Sequence, residues 1–336
     1  MKRETRRWLI LGVGFLVSCL LLFLSFRKIE FSDLSEHIGK VALPILVFGP
    51  VTRFVNFCLV ALRSSLLFAP LHRYSFWFLF KSGLLAYAVN NVVPLRAGEV
   101  ARIGYLAKEG NLPASSCLAV VAVERLLDLM AVCVVIVCTL PSMAIDMPIA
   151  APLVIAAAIL TAFIGGAIWI SRRPEVFVKV AATIAGLLGK SVRSFVEAKS
   201  KTFAEGLSAL TSPVTVLAVT GLSLLFWTTA VLGIQIWIWA FGFDLPWYTP
   251  VVVLTFLTFG LAVPSTPGHI GSYHYFAAAA MMAVGLPKAE SVSFAVVGHA
   301  MAVVPFTLLA LPIFLREFSK RRSNAARESD ASQQAD

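Results

Sequence analysis

Long apolar runs recur along the chain at 8–26, 41–62, 115–140, 152–170, 213–241 and 291–315. Each approaches or exceeds the roughly 20 residues that a helix needs to cross hydrocarbon. Two further apolar stretches are interrupted halfway, one at Asn90-Asn91-Val92-Val93-Pro94-Leu95-Arg96-Ala97-Gly98-Glu99 and one at Pro264-Ser265-Thr266-Pro267-Gly268-His269-Ile270-Gly271. Their arms, 76–91 with 97–107 and 250–263 with 273–284, run about 11 to 16 residues, short of a crossing. The pattern predicts an all-α polytopic membrane protein with about six spanning helices and two oppositely oriented re-entrant helical hairpins. Helix 41–62, a hairpin and helix 115–140 form one unit; helix 213–241, a hairpin and helix 291–315 form it again upside down. This is an inverted repeat of topology, without residue-level similarity.

Composition agrees. The 336 residues are 59% hydrophobic and 14% charged, where a soluble domain carries roughly a quarter charged. No alternating segments of the transmembrane-barrel kind are present. The net charge of +10 sits in loops and tails, so it needs no nucleic-acid partner. On the expected topology, 19 Lys and Arg fall on the side of both termini and 4 on the other, an asymmetry that puts both termini in the cytoplasm. All five cysteines lie within apolar segments without a Cys-x-x-Cys pair, so neither a disulfide framework nor a metal is indicated. The first apolar run ends at Ser25-Phe26-Arg27 without a cleavage pattern and reads as an uncleaved spanning helix. Residues 174–210 alternate apolar positions with lysines and arginines; a helical hairpin lying on the cytoplasmic membrane face and a solvated linker both fit. The transmembrane domain should occupy 1–318, followed by a disordered cytoplasmic tail over 319–336.

The breaks are where the chemistry gathers. Pro94, Pro264 and Pro267 lack N–H groups and free carbonyls of the preceding turn. The half-helix after each break starts with unsatisfied N–H groups, a natural binding place for phosphate or carboxylate. Gly98, Gly268 and Gly271 would let a headgroup approach the backbone, with Asn91 beside them. The alternative is a pair of kinked helices in an ordinary bundle. Ionisable residues within the apolar segments are Arg53, Lys81, Arg96, Glu99, Arg102, Glu124, Arg125 and Asp128. Facing lipid they would be expensive, so they should point inward, pair or snorkel. Arg96 and Arg102 are the expected phosphate donors, because guanidinium offers bidentate hydrogen bonds and stays charged. Arg53 could line the same cavity. Glu99, Glu124, Arg125 and Asp128 form an ion-pair group that is either a structural lock or a gate. His269, His274 and His299 read as cavity residues or, less simply, as proton carriers.

Three motifs carry a resemblance: Asn91-x-x-Pro94-x-Arg96-x-Gly98-Glu99-x-x-Arg102, then Glu124-Arg125-x-x-Asp128, then Pro264-x-x-Pro267-Gly268-x-x-Gly271. In this order the chain resembles, over about residues 5–318, the flippase-like transmembrane domain of bacterial lysylphosphatidylglycerol synthases, the multiple peptide resistance factors. The resemblance implies movement of an anionic or aminoacylated phospholipid between leaflets. It does not extend to the aminoacyl transferase domain of those synthases, so lipid aminoacylation is not implied. Relatives often carry an acid three residues past the last motif glycine, where this chain has His274. The expectation is a lipid translocator of a bacterial-type inner membrane, not an enzyme, with no cofactor and a membrane lipid with an anionic headgroup as its partner. No P-loop is present for ATP hydrolysis, and the oligomeric state is left open. The rivals are an intramembrane lipid-phosphate-linked transferase and a non-transporting accessory subunit.

Overall fold

A computed structural model describes residues 3–27, 29–93, 97–139, 150–187, 189–261 and 266–333. All regular structure among them is helical. Six helices have the length of a crossing: α1 (Arg3–Phe26), α3 (Leu43–Phe68), α6 (Ala114–Thr139), α7 (Ala150–Arg172), α10 (Pro213–Ala240) and α13 (Lys288–Gln333). The shortest, at 23 residues, extends about 35 Å at the helical rise. By composition as well as length, α3, α10 and the Lys288–Ile313 part of α13 suffice to cross a membrane. Charge rather than length sets α6 apart, because Glu124, Arg125 and Asp128 sit in its middle.

Both interrupted segments are pairs of short helices. The first is α4 (Phe76–Val92) followed by α5 (Ala97–Gly110); the second is α11 (Thr249–Gly260) followed by α12 (Ser272–Ala283). Local chemistry sets their ends. Ser75 accepts the Phe78 N–H and starts α4, while Pro250 occupies the first turn of α11, where its missing N–H is harmless. Within each unit the neighbours match: the long first helix, α3 or α10, packs on the incoming arm, and the returning arm packs on the last helix, α6 or α13. The units join along α3 and α10, the most extensive pairing in the molecule. Backbones approach closely there: a Cβ on Gly49 would collide with Trp237, and one on Gly233 would collide with Thr52. Each unit has its own apolar cluster, one around Leu79, Leu106 and Leu127, the other around Ile238, Met281 and Phe294.

Between α1 and α3, α2 (Phe31–Gly39) packs Leu34 and Ile38 against the second cluster. The spacing of those two apolar residues was the available signal. Residues 174–210 fold as α8 (Pro174–Gly186) and α9 (Lys190–Gly206), with α8 on α9 and α9 on α6; of the two readings of this stretch, the helical hairpin is the one that forms. The expected disordered tail is helical as far as Gln333, continuing α13. Beyond Pro312 the chain is rich in Ala, Arg, Glu, Lys and Ser without Gly or Pro, so an established helix propagates through it at little cost. Residues 334–336 lie outside the described residues.

Candidate functional site

The two breaks meet. A Cβ placed on Gly268 would lie 3.7 Å from the Asn91 carbonyl, and α4 packs against the 3₁₀ turn Pro267–His269. That turn exists because Gly268 adopts φ +69° and His269 φ 56°, left-handed values that glycine accepts freely. Helix α13 runs past both breaks and holds them: Asn91 Nδ2 donates to Thr307 Oγ1 at 2.8 Å, Tyr87 O–H to the Ala302 carbonyl at 2.7 Å, and His299 Nε2–H to the Gly268 carbonyl at 2.8 Å. From the other side Ser18 of α1 accepts the Thr266 N–H at 2.8 Å.

Each returning half-helix is capped from within the protein. The Gly98 N–H, in the first turn of α5, donates to Asn90 Oδ1 at 2.8 Å. Gly98 touches α4 so closely that a Cβ would lie 2.0 Å from the Ala86 carbonyl. At α12 the Gly271 N–H donates to His274 Nδ1 at 3.3 Å, half of a capping box in which His274 fills the place usually taken by Glu or Gln. Gly271 has φ +91°, and a Cβ there would lie 2.4 Å from the Ser18 carbonyl. These glycines admit neighbouring backbone. At Gly98 and Gly271 the space a side chain would take is filled by protein backbone. His274 and His299 sit ring against ring at 4.8 Å, with Tyr273 stacked on His299 and Phe26 beside His274.

The charges form a second group, one to two turns from the first break. Arg102 is 1% exposed. Its Nη1 donates to Glu124 Oε2 at 2.6 Å, Nη2 to Ser64 Oγ at 2.7 Å, and Nε to Ser82 Oγ at 3.4 Å. Ser64 in turn donates to the second Glu124 oxygen. Arg63, also 1% exposed, donates through Nη1 to Asp128 at 2.5 Å and to Ser223 at 2.8 Å. Arg125 bridges Asp128 at 3.3 Å and Glu99 at 3.6 Å, with half of its side chain exposed. Three arginines thus face three acids, and no surplus positive charge remains within this group. Arg102, expected to bind phosphate, has its donors committed to protein acceptors; its geometry is that of a lock between α3, α5 and α6.

Arg63 escaped sequence reasoning, which ended the helix at residue 62 and left the arginine in a loop. Helix α3 runs to Phe68, and Arg63 lies seven residues beyond Asn56, on the same helical face. That spacing was the missed signal. Asn56 itself accepts the Thr229 hydroxyl across the α3–α10 contact. Asn90 was also passed over, being read only as part of the break. Arg53 lies elsewhere, over the Tyr87 ring at 5.1 Å, and none of the ion pairs among the described residues includes it. Pro94, Arg96 and Pro264 lie outside the described residues.

Asn56, Arg63, Arg102, Glu124, Asp128, His274 and His299 are buried, while Phe15, Leu16 and Phe23 of α1, Val47 and Phe48 of α3, and Leu308 of α13 are exposed. A soluble surface does not expose long apolar helices over a buried ionic interior. Helices of crossing length, with apolar outer faces and buried ion pairs, define a membrane-embedded helical protein built around two apposed helix breaks. The family model of the lysylphosphatidylglycerol synthase TM region matches residues 10–310, and the chain belongs to that family. The family ties the protein to membrane lipid. No curated protein and no solved structure matches the chain.

Proposed function

We propose that this protein moves an anionic lipid, a phospholipid or a polyprenyl-type lipid, between the leaflets of a bacterial-type cytoplasmic membrane. It carries out no covalent chemistry on that lipid. In this reading α4–α5 and α11–α12 enter from opposite faces and turn back at their breaks, and both termini are cytoplasmic. Rocking of the two units exposes the shared break to either side in turn.

The observation that carries the proposal is the meeting of the breaks, Gly268 beside Asn91, within one helical turn of Tyr87 and the Arg53 that overlies it. Non-helical backbone is tolerated at membrane depth only where protein buries it or a water-filled cavity receives it. An intramembrane cation without a carboxylate costs about 2.5–3.5 kcal/mol on insertion scales, and an anionic headgroup would offset that cost. Arg53 therefore takes the role of headgroup donor that the sequence assigned to Arg102. The Arg102–Glu124 and Arg63–Asp128 pairs serve as the framework, and acyl chains remain in the bilayer.

Liposomes bearing the purified protein and a fluorescent anionic lipid should exchange that lipid between leaflets faster than empty vesicles. Arg53→Gln should lower the rate at least about tenfold, the loss expected from about 1.4 kcal/mol or more, while Arg53→Lys keeps a part of it. Equal exchange by wild-type and empty vesicles would overturn the reading. Thiol labelling of single cysteines at positions 190 and 244 tests the topology, with the first expected to react only from inside and the second only from outside.

A further inference from the structure

On the side of α6 away from the ion pairs, an open groove of about 440 Å³ runs between α6 and α7, with Phe203 of α9 in its wall; Ala122, Val123, Ile159, Phe163 and Gly166 also line it. Its volume falls in the range of small-molecule sites, roughly 300–1,000 Å³, and its walls are almost wholly apolar. The small residues Ala122 and Gly166 make it a recess, since a Cβ on Gly166 would meet nothing within 4 Å. On a helix of crossing length such a recess accepts a flexible hydrocarbon chain.

One end of the groove is polar. Within one turn of its lining residue Ile170, α7 ends in the exposed pair Arg172 and Arg173; one turn before Phe203, α9 carries exposed Lys199, with Lys201 between them. Lys199 lies over the Phe195 ring at 5.8 Å. Glu175, Glu197 and Glu205 neighbour these residues in sequence, leaving four cations against three acids. The hydroxyls of Ser115 and Thr202 join α6 to α9 there, at 2.5 Å. Farther out, α8 exposes Val176, Val180 and Ile184 in a row, followed by Leu187, the apolar stripe of a helix that lies in a membrane interface. An apolar slot that ends in a basic collar beside an interfacial hairpin complements one amphiphile in both parts.

We infer that the α6–α7 groove holds one acyl chain of an anionic phospholipid, with the phosphate at the collar formed by Arg172, Arg173 and Lys199. This lipid is a resident of the fold rather than the transported substrate. It joins the α8–α9 hairpin to the membrane core.

The full-length protein in detergent, titrated separately with phosphatidylglycerol, phosphatidylcholine and oleate, provides the test by native mass spectrometry and thermal unfolding. Wild type should retain phosphatidylglycerol at least tenfold better than phosphatidylcholine and unfold several degrees higher with it. Filling the slot with Ala162→Phe and Gly166→Phe should remove one retained phosphatidylglycerol per protein, a loss that Arg53→Gln does not cause. If those variants fold poorly, Arg173→Glu with Lys199→Glu, on an exposed rim, should reduce preference for phosphatidylglycerol to that for phosphatidylcholine. Equal retention of both lipids by wild type, equal protection by oleate, or undiminished retention by the collar variant would overturn the inference. So would a lipid-independent dimer that slot filling dissociates, because the groove would then seat a second copy. Arg53→Gln should leave this binding unchanged, so the inference stands or falls apart from leaflet exchange.

Discussion

The two broken-helix units share a layout and differ in what holds them. Around the first break, α3, α5, α6 and α10 are joined by Arg102–Glu124, Arg63–Asp128 and the serines between them. Around the second, contacts are neutral: His274 on the Gly271 N–H, His299 on the Gly268 carbonyl, Ser18 on Thr266. A buried ion pair exacts a large penalty when one partner is lost, whereas a neutral hydrogen bond is worth about 1 kcal/mol net. The difference teaches that a helix break requires only close backbone approach and a cap. Charge is an addition in one unit, and it should make that unit the harder of the two to open.

The largest effect should come from dividing a pair. Arg102→Met leaves Glu124 buried without its partner and should destabilise the protein by about 3–5 kcal/mol, read by thermal unfolding in detergent. The double change Arg102→Met with Glu124→Met should recover most of that loss; a double variant as unstable as the single would mean that the ion pair is not what distinguishes the units. Next come the close approaches. Gly98→Ala and Gly271→Ala should each cost about 1–3 kcal/mol through overpacking, with Gly271 adding backbone strain at its positive φ,. Comparable losses at both would support equivalent breaks, and a silent Gly271→Ala would dissolve the likeness. Caps should matter less: Asn90→Ala and His274→Ala should cost about 0.5–2 kcal/mol each, and His274→Glu should restore the second cap, because a carboxylate can accept the same N–H. The smallest signal is kinetic. Amide hydrogen exchange should be faster over 272–275 than over 98–101, as expected where neutral contacts alone resist local opening; the reverse order would make the charged unit the more mobile one.

Much of the helical layout was legible because it depends on local runs. The arms of both breaks, α6, α7 and α10 follow hydropathy and the positions of Pro and Gly and fall within about three residues of the expected bounds, whereas α1 starts earlier and α3 and α13 run on further. Charge pairing was legible only in part. Glu124 and Asp128 announced inward-facing acids by being unaffordable in lipid, yet nothing local says which arginine meets which acid. Arg63 stood close enough to the end of its apolar run to pass for a loop residue, and its partner Asp128 lies 65 positions away. His274 illustrates the same limit: its place after Gly271 suggested a departure from the pattern, and only the fold turned Nδ1 toward the Gly271 N–H.

What the sequence determined by itself is the class of molecule: helices of crossing length, two interruptions with short arms, and ionisable groups that must turn inward because hydrocarbon does not solvate them. Tertiary structure decided the rest. It joined the two breaks through α13, closed Arg102 on Glu124 and Arg63 on Asp128, and left Arg53 on an aromatic ring. Hydropathy and helix-breaking act over a few neighbouring residues, whereas hydrogen bonds and ion pairs are selected by proximity among elements far apart in the chain.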